Sequence, residues 1–157
     1  MMKFWANASP LTAKHQLFSI LLFALLMIIS CTPKQQTEDI IARHANGKPK
    51  ITHQLSKATD GTLQLIESHF FESGKLSMQG PLIDEKRNGY WKSWYEDGKL
   101  WSEGGFENGE RQGIGIVYHA NGRKYLEGTY AKGVKTGVWK SWNETGSLIS
   151  SVDLTPR

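Results

Sequence analysis

One cysteine stands in these 157 residues, so no internal disulfide is available and no cysteine-based zinc site is in reach. Acidic residues are missing from the first 30 positions altogether, where Lys3 and Lys14 are the only charges. No apolar run reaches the roughly 20 residues of a spanning helix; the longest is Leu17–Ile29, broken by Ser19. Beyond that run no window has apolar residues at i, i+3, i+4 and i+7, which predicts little or no helix in the rest of the chain. The five histidines, His15, His44, His53, His69 and His119, are scattered, and no H-E-x-x-H pair is formed. A G-x-S-x-G elbow and a phosphate-binding glycine loop are also missing, so the expectation is a non-catalytic protein without metal or cofactor. Charge is nearly balanced. After position 30 there are 17 Lys and Arg against 15 Asp and Glu, or +2, which is too little to predict a nucleic-acid partner.

What is present begins with the N-terminus. A basic, acid-free stretch, an apolar run of secretory length and the tetrad Ile28-Ile29-Ser30-Cys31 follow one another. An aliphatic residue at −3, a small one at −1 and Cys at +1 resemble the lipobox of bacterial lipoproteins. That resemblance implies cleavage before Cys31 and a diacylglycerol thioether on its thiol, with the membrane as partner through the lipid. An uncleaved signal anchor is the competing reading of the same run. Acyl chains contribute about 0.8 kcal/mol per buried CH₂, so two or three make attachment effectively permanent. Thr32 rather than Asp after the cysteine implies the outer membrane where the host has one. The segment 31–44 is short and polar and reads as a tether.

From about residue 65 the chain repeats. Gly89, Gly113 and Gly137 are 24 apart, as are Gly74, Gly98, Gly122 and Gly146, and Gly80, Gly104 and Gly128. Gly109 and Gly133 make a fourth series, with Glu85 in the earlier position. Phe70, Trp94, Tyr118 and Trp142 share a phase, as do Leu82, Phe106 and Tyr130. Such a period signals an array rather than a conventional globular core. Each unit reads as a hairpin: strand Tyr90–Tyr95, turn Glu96-Asp97-Gly98, strand Lys99–Phe106, then a loop Glu107–Gly113, with a matching loop at Ala131–Gly137. The expected fold is all-β, an array of stacked β-hairpins forming an open twisted sheet after an N-terminal signal helix. The expected domains are a signal peptide over 1–30, a tether over 31–44 and a repeat domain over 45–157, with clear units at 65–88, 89–112, 113–136 and 137–157. Ala45–Lys48 resembles a further unit, out of register because Gly47 precedes Gly74 by 27. One pattern resists alternation: Trp91 and Trp94, like Trp139 and Trp142, are three apart. Either a bulge realigns them or both faces of the sheet carry aromatics. In the middle unit Gly115 takes the place of the first tryptophan.

The pattern G-x-W-x-x-W/Y, x-x-G-K-L and E-G-x-F/Y-x-x-G over Phe70–Leu148 resembles the MORN-type repeat, and more narrowly the variant in bacterial proteins grouped as YwqK-family antitoxins. The resemblance implies a protein partner, with a toxin as one case. Residues offered for a binding surface are Trp91, Trp94, Trp101, Tyr118, Tyr125, Trp139 and Trp142, aromatics interleaved with Lys92 and Lys140. The competing reading places most of these rings in the core of the stack. Trp101 is set apart because its phase-mates Ser77, Tyr125 and Ile149 change in chemistry. The alternative function is a structural spacer or a lipoprotein that binds cell-wall polysaccharide. The last strand, near Leu148–Leu154, is read as an exposed edge.

Overall fold

The computed structural model describes residues 38–156, so the signal peptide, Cys31 and the first part of the tether lie outside the described residues. Eleven strands follow one another: β1 Glu38–Arg43, β2 Pro49–Lys57, β3 Leu63–Phe70, β4 Leu76–Ile83, β5 Lys86–Arg87, β6 Gly89–Trp94, β7 Leu100–Glu107, β8 Glu110–Tyr118, β9 Lys124–Ala131, β10 Val134–Trp142 and β11 Leu148–Asp153. They form one open antiparallel sheet in sequence order, with the short β5 paired to β4. Among the described residues there is no helix. The described part is therefore all-β, as its periodicity predicts, and the expected signal helix lies outside it. The sheet starts earlier than expected, since β1 occupies residues assigned to the tether. Its pairing to β2, Glu38 opposite Gln54 through Arg43 opposite Pro49, has no local sequence signature.

Two kinds of turn alternate along the sheet. At one end the loops have three residues and close on glycines 47, 74, 98, 122 and 146, all with positive φ. In Glu96-Asp97-Gly98, Gly98 N donates to Tyr95 O (2.9 Å) and Tyr95 N to Lys99 O (2.8 Å). The Asp97 carboxylate accepts from Lys99 N, which explains Asp or Asn at this site in most units. At the other end the later turns have only two residues, Asp84-Glu85, Asn108-Gly109 and Lys132-Gly133, each pair in the left-handed region. The loops read as Glu107–Gly113 and Ala131–Gly137 are thus mostly strand. A two-residue turn with both φ positive matches the twist of its strands, so pairing resumes at Glu107 opposite Glu110 and Ala131 opposite Val134. The β2–β3 turn instead has three residues, Thr59-Asp60-Gly61, and its ladder runs unbroken from Ile51 opposite His69 to Lys57 opposite Leu63. This longer hairpin accounts for the 27-residue step, and the ANGK segment is a true turn of the array.

Bulges recur with the same period. Ser93 pairs with Ser102 and Trp94 with Leu100, which leaves Trp101 as an extra residue in the ladder. Ser77, Tyr125 and Ile149 are the extra residues of their own hairpins. Near the two-residue turns a larger bulge lies beside Gly113 and Gly137: Thr136 faces Thr129 and Lys140 faces Glu127, so three residues of β10 oppose Gly128 alone.

The core lies on one face, over a row of glycines. Trp91 and Trp139 are 3% and 6% exposed, and Leu82 is buried with them. A Cβ built on Gly80 would meet the Trp91 ring at 2.4 Å, and one on Gly128 would meet Trp139 at 2.1 Å. Each indole therefore rests on bare backbone of the neighbouring strand. Along this face aromatics alternate with cations. The Arg87 guanidinium stands 4.5 Å from Trp91 and 5.7 Å from Phe106, and Arg111 stands 4.7 Å from Phe106 and 5.7 Å from Tyr130. Tyr130 meets Trp139 edge-on at 4.9 Å, and Lys135 lies 4.3 Å from Trp139. The place left by the missing tryptophan at Gly115 is filled: Tyr130 and the Arg111 guanidinium are what a side chain there would strike. Trp94 shares its phase with Lys92 and Glu103 and points to the opposite face. Both faces carry aromatics.

Candidate functional site

The seven aromatics proposed for a surface divide into three groups. Trp91 and Trp139 are withdrawn from it: they are the buried indoles of the core, seated on Gly80 and Gly128. Trp94, Tyr118 and Trp142 are half-buried in a row on the other face, beside the aligned positions Lys92, Glu103, Ile116, Glu127 and Lys140. The Tyr118 hydroxyl donates to Glu103 at 2.6 Å, and Lys92 Nζ stands 4.0 Å from the same carboxylate. Burial, then the bond to Glu103, pushes the Tyr118 phenol up to about 12; Tyr90 is raised by burial and by the Glu103 charge. Lys124 bonds Glu127 and lies 5.9 Å from the Trp142 ring.

Trp101 and Tyr125 are different, 47% and 45% exposed. Their bulges push them out of the ladder, so nothing in the stack requires a particular side chain. Trp101 leans on Tyr95 (6.3 Å) and Tyr125 on His119 (5.0 Å). Those supporting rings tie adjacent hairpins together: Tyr95 Oη donates to Tyr118 O and His119 Nε2 to Trp142 O, both at 2.8 Å, as His44 does to Phe70 O. Ile149, the next extra residue, is 63% exposed. A row Trp101, Tyr125, Ile149 is thus presented on successive hairpins, one residue per unit.

The fold also gathers residues that looked scattered. His53 and His69 reach the two oxygens of Glu67 at 3.0 and 2.7 Å, across β2 and β3. Burial raises the Glu67 carboxyl, but the two histidine bonds outweigh it and hold the group below its ordinary value of 4.5. Among the described residues no cluster of His, Cys, Asp and Glu is arranged to hold a metal ion. Two periodic series escaped the sequence reading. One is Arg87, Arg111 and Lys135, the cations of the core face; the other is Tyr90, Ile114 and Val138, exposed beside the bulge glycines. Both keep the 24-residue spacing, which was the available signal.

These features define a class: a repeat-built antiparallel β-array whose variable positions are carried outward on bulges. The family model for the MORN repeat variant matches residues 87–108, which span Arg87, Gly89, the core indole Trp91 and the turn at Gly98. Over those residues the chain is similar to the MORN repeat variant. No curated protein and no solved structure gives a match.

Proposed function

We propose that this chain is a lipid-anchored envelope protein whose hairpin array is a non-catalytic platform for a protein partner, of the antitoxin or immunity kind. The observation that carries the reading is the exposed row Trp101, Tyr125 and Ile149. Large apolar side chains held out at constant spacing on successive hairpins resemble the aromatic anchors that dominate protein interfaces. The lipobox tetrad ending at Cys31 supports the anchor and the envelope location. A toxin met there is an exported or incoming one, since the platform faces away from the cytoplasm.

Metabolic fatty-acid labelling and fractionation of wild type beside Cys31→Ser tests the anchor. Label in wild-type membranes and none in the variant is expected; an unlabelled, cytoplasmic wild type overturns it. Co-expression with neighbouring open reading frames tests the platform. Relief of toxicity by wild type that is lost in Trp101→Ala/Tyr125→Ala, at an unchanged melting temperature, is expected. Toxicity from no neighbour, or relief that survives the double variant, counts against the reading.

A further inference from the structure

The half-buried face opposite the core holds a groove of about 550 Å³ that the protein-partner reading does not use. Its cause is local. β4 and β6 pair only through Met78 opposite Ser93 and Gln79 opposite Lys92, after which Pro81 O is taken by Asn88 N and by the Trp91 indole, both at 3.0 Å. The strands part there, which opens the groove between Gln79 and Pro81 on one side and Tyr90 and Lys92 on the other. The groove is lined by polar Gln54, Ser56, Gln79 and Lys92, by the rings of Tyr90 and Trp94, and by Ile66, Pro81 and the Gly80 backbone. Gln79 donates to Ser68 at 2.9 Å, leaving its carbonyl oxygen for another donor. Tyr90 is 48% exposed at the rim.

We propose that this groove is a binding site for a neutral glycan, a chain of β-1,4-linked hexopyranoses lying across the strands from the groove along Trp94, Tyr118 and Trp142. Amides, a hydroxyl and aromatic rings together are what a sugar requires, because its ring has an apolar C–H face and a hydroxylated edge. The row gives the chain its direction. Trp94, Tyr118 and Trp142 stand on β6, β8 and β10, two strand spacings apart, or about 9.6 Å per step. That step is close to the disaccharide repeat of an extended β-1,4 chain, in which alternate sugars turn the same face to one side. The charges along the row are largely paired, which favours a neutral ligand over a polyanion. Lys92 is offset by Glu103 at 4.0 Å, and Glu127 stands in the next unit, so a polyanion meets carboxylates along the same path. A peptide adding as a strand needs a free backbone edge, and this site lies in the middle of the sheet, between β2 and β10.

Calorimetric titration of the full chain in detergent with cellohexaose, chitohexaose and mannohexaose tests the site, each beside its disaccharide. At least one hexaose is expected to bind about tenfold or more tightly than its disaccharide, which reaches a single ring. Ser56→Trp, which fills the groove from its rim, is expected to weaken that binding by about tenfold or more. Amide NMR of the unmodified protein covers the case in which this variant fails to fold: shifts must fall on the side-chain amides of Gln54 and Gln79 and on the Trp94 indole, not on Trp101. Trp101→Ala is expected to leave glycan affinity unchanged, which separates this site from the protein platform. No binding by any hexaose, equal affinity for hexaose and disaccharide, full binding by folded Ser56→Trp, or shifts centred on Trp101 overturns the proposal.

Discussion

At the residue scale, the left-handed region and the histidine pair make the sharpest demands. Glu85 holds φ at 60° where Asn108-Gly109 and Lys132-Gly133 place glycine, and a side chain there costs roughly 1–2 kcal/mol of backbone strain. Glu85→Gly relieves that strain and gives back part of the gain through a looser unfolded chain. The expected net is a stabilisation of about 0.5–1 kcal/mol, read from urea midpoints. Glu67 sets a pH dependence. Its folded carboxyl lies below its ordinary 4.5, so its contribution is complete above that value and is lost as pH falls through the lower folded one. Wild type is therefore expected to lose more stability than Glu67→Gln between neutral pH and acid below 4.5, measured by denaturation at a series of pH values. An equal loss in both proteins removes Glu67 from the account.

At the scale of the hairpin, each unit divides its aromatics by bulge and register. Trp91→Ala empties a buried site over Gly80, and a loss of about 3–5 kcal/mol is expected by chemical denaturation. Trp101→Ala removes a ring that a bulge already holds in solvent, and a change within about 0.5 kcal/mol is expected. A large loss from Trp101→Ala places that ring in the core instead. Gly128→Ala sets a methyl against Trp139 at 2.1 Å and forces the indole off its seat. The same logic explains the middle unit, where Gly115 lacks an indole and Arg111 with Tyr130 closes the space.

For the whole sheet, each strand pairs with its sequence neighbours, the short β5 aside, so stability is local. Gly128→Ala is expected to speed hydrogen exchange in β9, β10 and β11 while β2, β3 and β4 keep their protection. Uniform loss of protection along the sheet contradicts that picture. The two edges differ in character. β1 carries Glu38, Asp39 and Arg43 and two register shifts, the usual defences of an edge strand. β11 has Asp153 as its only charge and is exposed at every position.

The sequence by itself determined the all-β class, the hairpin strands beside the three-residue turns, those turns, the 24-residue period and the exceptional standing of position 101. All of these follow from local chemistry: glycine and Asp or Asn at turns, and repetition that makes each unit report on the next. The tertiary structure alone decided the rest. It buried Trp91 and exposed Trp101 although both are tryptophans of one hairpin, because a one-residue bulge changes which side chains meet a neighbour. It joined β1 to the sheet through pairing with β2, and it set His53 and His69 on Glu67 across two strands. It filled the space at Gly115 with an arginine four residues away in sequence. Each of these depends on register between strands, and register is a relation between segments that no single segment carries.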